Sequence, residues 1–272
     1  MLTALLLAAA VSPTPFDQVV AAERRFAAAG RRTELHKAFL ANLSDDAITF
    51  NPMPTPARPL HVDQPPPKGD LQWGPGWVAV SAAGDLAVST GPWEIRRNSP
   101  TILTDAQAQG WFISMWRRQG DGGWKVAVDA GVSSPTKFVL PATVADGTTA
   151  PKSAGNAEGA KLAIAAAEQA FAVAARQGIG GAVEAVADPA LRVYREGKPA
   201  AFGAKESKTA LATDGRKAAC ASEQVIASKS GDLAYSYGAC TGTDDATAKY
   251  AFLHVWRRQQ DQSWRILVDV TP

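Results

Sequence analysis

The chain has 272 residues, 46% of them apolar, and a formal net charge of only +2. At roughly 100 to 200 residues per domain, this length predicts two domains, each able to bury a core. The charged residues are spread along the chain, so no basic stripe indicates nucleic acid and no nucleic-acid partner is predicted.

The first segment, MLTALLLAAAV, is apolar and uncharged. A run this short cannot cross a hydrocarbon core of about 30 Å as a helix, so no membrane span is predicted. It is typical of the apolar part of a signal peptide, with small residues at Ala8 to Ala10 for cleavage but no basic start. We therefore expect residues 1–15 to be a signal peptide and the protein to be periplasmic or secreted. An ordinary first helical turn is the alternative.

Several segments of the sequence occur twice. WRRQGDGGWKVAVD from Trp116 recurs as WRRQQDQSWRILVD from Trp256, and the tetrapeptide GDLA also appears in both halves. ERRFAAA from Glu23 has a counterpart in EQAFAVA from Glu168, so the order of segments is preserved. Spacings that differ only by loop-sized insertions are typical of a duplicated domain.

Each copy opens with helices and continues as strands. Apolar residues at helical spacing predict one helix at the start of each copy and a shorter one after it, and GAKESKTAL from Gly203 predicts a third in the second copy. Alternating strands with Gly and Asp turns follow, which is an α+β plan with antiparallel sheets. The predicted domains are 16–132 and 159–272, joined by a linker at 133–158 that is rich in Pro, Gly and Ala.

The strands beside the first GDLA turn can be paired residue by residue. A turn centred on Ala83 places Val78 opposite Val88 and Trp73 opposite Trp93. On this pairing, the face predicted to point inward carries Val78, Val80, Leu86, Val88, Thr90 and Glu94. The outward face carries Trp73, Trp77 and Trp93, and a group of tryptophans there predicts an interface with the partner domain or a second chain.

The same pairing in the second copy sets Cys220 opposite Cys240 and turns Tyr235 and Tyr237 inward. Opposed residues on neighbouring antiparallel strands have Cα atoms about 4.5 to 5.5 Å apart, within reach of a disulfide. We predict that disulfide, which agrees with an oxidising compartment and is worth about 3 kcal/mol as a loop closure. Two buried free thiols are the alternative.

The helical openings, GDLAVSTGPWE, GWFISMWRRQGDGGWKVAVDAG and YAFLHVWRRQQDQSWRILVDV together resemble the nuclear-transport-factor-2-like superfamily. More narrowly, they resemble exported bacterial domains of unknown function related to SnoaL-like polyketide cyclases and ketosteroid isomerase. The resemblance covers both copies and implies two tandem cone-shaped domains, with helices packed on a curved sheet and an apolar pocket at the wide end. Isomerases, dehydratases, cyclases, hydrolases and binding modules share this fold, so it does not select an activity.

The resemblance also gives a role to the proline-rich segment Asn51–Pro67, which holds seven prolines and is predicted to lack regular structure. In this fold it can be a stiff lid over the mouth of the cone. An exposed connector is the alternative.

An isomerase of this type needs an acidic base beside an apolar cavity and neutral donors aimed at an oxyanion. The catalytic candidates are Glu94, His254, Asp129 and Asp269, and the ligand-binding candidates are Thr90, Glu94, Tyr235, Tyr237 and His254. All of these except Thr90 have a structural alternative: a hydrogen-bonded core histidine, a solvated glutamate, core tyrosines, and aspartates paired with Arg117 or Arg118 or their counterparts. Ser114 stands where the second copy has His254, so the copies differ where a shared mechanism would need them alike.

Motifs of phosphate-binding loops, nucleophile elbows and zinc proteases are missing, and the three histidines are scattered, so neither a metal site nor a cofactor is predicted. The sequence predicts an exported pseudo-dimer within one chain that binds a small apolar molecule. The alternatives are an isomerase, dehydratase or cyclase with a carboxylate or histidine base, and an assembly module that uses the tryptophan face. A homo-oligomer is left open.

Overall fold

The computed structural model of the protein describes residues 12–31, 34–66, 69–97, 108–149 and 155–272. Most of the predicted signal peptide, residues 1–11, lies outside this part. The described chain forms two sheets, one from each half, and each sheet carries helices of its own half on one face. The predicted α+β class is confirmed, with one parallel strand pair or more in each sheet. None of the described helices is long and apolar enough to cross a membrane.

The first half begins with α1 (Pro15–Ala29), which a capping box of Thr14 and Asp17 initiates, and α2 (Leu35–Asn42). Its strands are β1 (Leu43–Phe50), β2 (Pro54–Pro56), β3 (Gly69–Trp73), β4 (Trp77–Val80), β5 (Leu86–Arg97), β6 (Ala108–Arg118), β7 (Trp124–Ser133) and β8 (Ala145–Asp146). They are hydrogen-bonded in the order β2-β1-β7-β6-β5-β4-β8, and β3 also pairs with β5.

The second half repeats this plan. Its elements are α3 (Ala157–Ala175), α4 (Ile179–Ala185), β9 (Ala187–Arg195), β10 (Ala201–Phe202), α5 (Gly203–Ala212), β11 (Ala218–Ala227), β12 (Leu233–Gly242), β13 (Lys249–Arg258) and β14 (Trp264–Thr271). The strand order is β10-β9-β14-β13-β12-β11, with β14 and β9 parallel, as β7 and β1 are in the first half. The predicted third helix is present as α5.

The outer ends of the two GDLA hairpins pair as predicted. Trp73 lies opposite Trp93, and Cys220 lies opposite Cys240, with an S–S bond of 2.03 Å. The predicted disulfide is therefore present.

Nearer the turn, the register of both hairpins shifts by one residue. Val78 lies opposite Ser89 rather than Val88, and in β11 the shift falls between Ser222 and Gln224. Because successive side chains point to opposite faces of a strand, a shift by one residue moves the side chains of one of the two paired strands to the opposite face of the sheet. The predicted inner face was therefore wrong in part: Val78 and Val80 pack under the helices, whereas Leu86, Val88 and Thr90 face the other half.

The two sheets pack against each other through the faces that point away from the helices. Apolar side chains from both halves form one buried cluster there, including Trp77, Leu86, Val88, Ile113, Met115, Val128, Tyr194, Leu233, Tyr235, Tyr237, Leu253, Val255 and Val268. Of the three tryptophans predicted to form an interface, Trp77 lies in this cluster. The prediction was wrong for Trp73 and Trp93, which lie on the helix side of the first sheet. Tyr235 and Tyr237 likewise lie in this cluster between the sheets.

The two GDLA turns contact each other in a two-fold manner. The Ala82 N–H donates to Asp232 Oδ2 at 2.8 Å, and the Lys229 N–H donates to Asp85 Oδ2 at 3.0 Å. Each aspartate also accepts from a serine of its own turn. The repeated tetrapeptide thus orders each turn and holds it against the other half.

The proline-rich segment contains short regular pieces, contrary to the prediction. β2 pairs with β1, and Arg58–Leu60 forms one 3-10 turn. The segment packs on α2, since the His61 ring stacks on Phe39 at 4.3 Å and its Nδ1 lies 3.0 Å from His36 Nδ1. Within the predicted linker, β8 adds a parallel strand beside β4.

Candidate functional site

The helix-facing side of each sheet carries the same set of polar positions. A glutamate comes from the first helix of each half, and the other groups come from the central strands. The matched pairs are Glu23 and Glu168, Ser89 and Ser236, Trp116 and Trp256, Ser114 and His254, and Asp129 and Asp269. Four of the five pairs keep the residue type, so the two sites differ mainly at the serine and the histidine.

In the first half, two indole groups hold Glu23 beneath the sheet. Trp73 Nε1 donates to Oε1 at 2.9 Å, and Trp116 Nε1 donates to Oε2 at 2.8 Å. The carboxyl is fully buried. Burial raises the pKa of Glu23, and the hydrogen bonds from Trp73 and Trp116 lower it only in part.

Asp129 on β7 is the second acid of this half. Ser114 Oγ donates to its Oδ1 at 3.0 Å. Burial and then the nearby Glu23 charge raise the pKa of Asp129 to about 7. In the part of the chain that the structure describes, no ion pair balances Glu23 or Asp129. Asp129 therefore exchanges its proton near neutral pH.

An apolar cavity of about 230 Å³ opens beside Asp129. It is lined by Phe26, Phe39, Leu71, Trp73, Trp93, Ile95, Phe112, Asp129, Ala130 and Gly131. Asp129 is the one ionisable side chain among these described lining residues. The indole N–H of Trp93 is buried and has no hydrogen-bond partner within the described chain. The cavity thus combines aromatic walls with one carboxyl and one free donor.

In the second half, positively and negatively charged groups alternate in a row on the helix-facing side of the sheet. Glu168 Oε1 accepts from His254 Nδ1 at 2.8 Å, from Ser236 Oγ at 2.5 Å and from Trp256 Nε1 at 3.0 Å. On its other side, His254 Nε2 lies 3.6 Å from Asp269 Oδ1. The Asp269 carboxylate continues the row to Arg195 Nη2 at 2.5 Å.

These contacts fix the protonation states of the row. Burial alone lowers the pKa of His254, but the charges of Glu168 and Asp269 outweigh it and raise the pKa to about 9. Burial alone raises the pKa of Asp269, but Arg195 and His254 lower it to about 2. A fully buried imidazolium at neutral pH cannot accept a proton from a substrate. Of the two roles predicted for His254, the geometry favours the hydrogen-bonded core histidine.

Other predicted site residues lie elsewhere. Thr90 donates to the hydroxyl of Tyr194 at 2.9 Å in the interface between the sheets. Glu94 is buried and pairs with Arg96 at 2.6 Å. Neither residue lines the cavity beside Asp129.

The predicted pairing of the aspartates with the arginines of the repeated turn is wrong. Arg117 binds Asp46, on β1, and Arg257 binds Asp188, on β9. Arg117 and Arg257 lie on the sheet face opposite the aspartates, and Arg118 donates to the backbone carbonyl of Gly122 at 3.3 Å.

Sequence reasoning missed the two buried glutamates. Glu23 lies in the apolar stripe of α1, with Val19, Val20, Phe26 and Ala27, and Glu168 lies similarly in α3. A charged residue inside an apolar stripe was the available signal, since buried carboxylates are rare without partners.

No protein-family model and no curated protein matches this sequence. Among solved structures, a ketosteroid isomerase-like protein from Erwinia carotovora atroseptica SCRI1043 is 23% identical, with a TM-score of 0.35, over 41% of this chain and 93% of its own. An NTF2-like protein of unknown function from Pseudomonas putida KT2440 is 16% identical, with a TM-score of 0.35, over 43% and 88%. A putative ketosteroid isomerase from Parabacteroides distasonis ATCC 8503 is 18% identical, with a TM-score of 0.32, over 42% and 83%. Each of these structures matches less than half of this chain.

Proposed function

We propose that the protein is an exported pair of tandem domains, 16–132 and 159–272, whose first domain binds a small and largely apolar molecule. The cavity beside Asp129 carries this proposal, because it joins aromatic walls to two polar groups that the protein itself leaves available. Export is supported by the disulfide between Cys220 and Cys240, since such bonds persist in oxidising compartments.

The size and lining of the cavity define the ligand class. Its volume of about 230 Å³ exceeds that of an apolar cavity of about 150 Å³ that binds benzene, so one or two rings fit. Asp129, with a pKa of about 7, can donate or accept a hydrogen bond near neutral pH, and the Trp93 N–H can donate one. The expected ligand is a neutral one- or two-ring molecule with a single hydroxyl or carbonyl group.

Calorimetry with 2-naphthol and naphthalene tests this class, because the two probes differ only in the hydroxyl. The intact protein should bind 2-naphthol about tenfold more tightly, as expected for one good hydrogen bond to a charged or polar partner. Asp129→Ala and Trp93→Phe should each reduce this preference while naphthalene binding is kept. Asp45→Ala, which removes an exposed acid of the same half, is the matched control. Failure of both probes to bind the intact protein would reject the proposal.

A second candidate is proton transfer at carbon with Asp129 as base, which its pKa near neutrality favours. Small cyclic ketones in deuterated buffer provide the test, read by NMR as exchange of protons next to the carbonyl. The intact protein should exceed Asp129→Ala at pH 7 to 8. Equal exchange with both proteins would leave binding as the function.

A further inference from the structure

A larger cavity, of about 860 Å³, lies at the open end of the second half. It is bounded by the end of β9, the turn that follows, α5 and the last residues of β14. Its lining includes the apolar residues Val193, Pro199, Ala200, Ala201 and Ala210, which together are termed the apolar wall. None of its lining residues belongs to the cavity beside Asp129, so it is a separate site.

Ion pairs neutralise the floor of this cavity. Arg195 lies between Asp214, at 2.9 Å, and Asp269, at 2.5 Å. Arg216 binds Asp214 from the other side at 2.7 Å and stacks over the ring of Tyr250. These arginines and aspartates balance in charge and are held rigidly, so they shape the floor without leaving a charge to attract a ligand.

The remaining acids of the lining are also engaged. Glu206 Oε2 accepts from the backbone N–H of Phe202 at 3.2 Å. Glu196 Oε2 accepts from the backbone N–H of Ser133, in the other half, at 2.8 Å. Both carboxylates are therefore fixed by protein donors and are turned toward them.

The two lysines of the lining differ from every other charged group there. Lys198, in the turn after β9, and Lys205, in α5, are exposed and line the cavity. Neither ammonium group makes a hydrogen bond or an ion pair with any residue in the described ranges, although the backbone N–H of Lys198 donates to the carbonyl of Arg195 at 3.1 Å. The ammonium groups of both lysines are therefore available to turn toward a ligand, whereas Glu196 and Glu206 each already accept a backbone hydrogen bond.

We propose that this cavity binds a small amphipathic organic anion, whose apolar body packs on the wall with Val193 and Ala210 and whose anionic group is met by Lys198 and Lys205. The chain would then hold two different ligand classes: a neutral aromatic molecule in the first half and an anion in the second. This agrees with the divergence of the two halves, because the matched acids are balanced by His254 and Arg195 in the second half and by no cation among the described residues in the first.

Two dyes with one aromatic framework test the anion requirement on the full chain. These are 1-anilinonaphthalene-8-sulfonate and N-phenyl-1-naphthylamine, which lacks the sulfonate. We expect one sulfonate dye per chain, bound at least tenfold more tightly than the neutral dye and more weakly as salt rises. The double variant Lys198→Gln with Lys205→Gln should lose about tenfold in affinity for the sulfonate.

Matched variants place the site and separate it from the first cavity. Lys217→Gln with Lys249→Gln removes the same charge from exposed positions of the same half that do not line the cavity, and should leave binding unchanged. Ala210→Phe keeps all charges but fills the cavity, and should abolish binding. Asp129→Ala should leave the sulfonate dye unaffected, so this proposal and that for the first half can fail separately. Equal binding of the two dyes, or sulfonate binding that survives both the lysine variant and Ala210→Phe, would overturn the proposal.

Discussion

Asp129 and Asp269 occupy matched positions in the two sheets but lie in opposite electrostatic settings. Asp129 is near a second buried acid with no balancing cation among the described residues, whereas Asp269 lies between Arg195 and His254. Replacement by asparagine keeps the shape and removes only the charge. We therefore expect Asp129→Asn to stabilise the protein at neutral pH and Asp269→Asn to destabilise it.

The size of the first effect follows from the pKa of Asp129, which folding raises from 3.8 to about 7. Each unit is worth 1.36 kcal/mol, so the full shift corresponds to at most about 4 kcal/mol. Because the folded pKa is the higher one, the stability that this group contributes is complete below pH 3.8 and is lost as pH rises to about 7. Asparagine does not titrate. The variant should match the wild type near pH 4 and exceed it increasingly toward pH 8.

Urea unfolding followed by circular dichroism between pH 4.5 and 8 measures this difference directly. In the same series, Asp269→Asn should lose about 3 to 5 kcal/mol at pH 7, because it leaves a buried arginine and a buried imidazolium short of a counter-charge. The pKa of Asp269 is lowered to about 2, so its own contribution persists above pH 3.8 and vanishes only in strong acid. A stability difference for Asp129→Asn that stays constant from pH 4.5 to 8 would refute the reasoning.

Three further results are expected. His254→Gln should lower the free energy of unfolding by about 3 to 5 kcal/mol at pH 7, measured with urea, because Glu168 loses its cation. In the wild type, the stability that His254 contributes is present below pH 6.5 and should be lost as pH rises through about 9. Equal pH profiles for the variant and the wild type would contradict this. Intact mass after alkylation should find reactive thiols only with reductant, and reduction should lower stability by about 3 kcal/mol. A double-mutant cycle of Asp85→Ala and Asp232→Ala should give a coupling energy above about 0.5 kcal/mol, because the two turns share contacts, whereas simple additivity would argue against a coupled pair.

The sequence was sufficient for the repeated architecture because its signals are local. Helical periodicity, turn residues and the opposed Cys220 and Cys240 each depend on a few neighbouring positions, and the structure bears them out. The sequence could not predict in the same way which side of the sheet each side chain of the hairpin strands occupies. One extra residue near Gly74 to Gly76 in the first half reverses which face each later side chain of that strand occupies. Neither the composition nor the spacing of the sequence shows where this extra residue lies.

The same limit explains the misplaced tryptophans and the missed acids. Trp73 is large and apolar, so an outward position predicts an interface; its actual use depends on a hydrogen bond to Glu23, 50 residues earlier. A contact between residues so far apart in the sequence depends on how a helix packs on the sheet, and it leaves no local pattern in the sequence. Only the charge of Glu23 in an apolar stripe pointed to it.

The differences between matched residues of the two halves are linked to one another through the buried glutamate. In the first half, Trp73 both lines the cavity and donates to Glu23. In the second half, a cystine stands at the places of Trp73 and Trp93 and offers no comparable donor. Glu168 instead accepts from His254, whose counterpart is Ser114. The absence of Trp73 and Trp93 thus removes the aromatic wall and one of the two indole donors, and the histidine that donates in its place brings a positive charge. The row from Glu168 to Arg195 keeps that charge, because the two carboxylates beside the imidazole outweigh the cost of burying it.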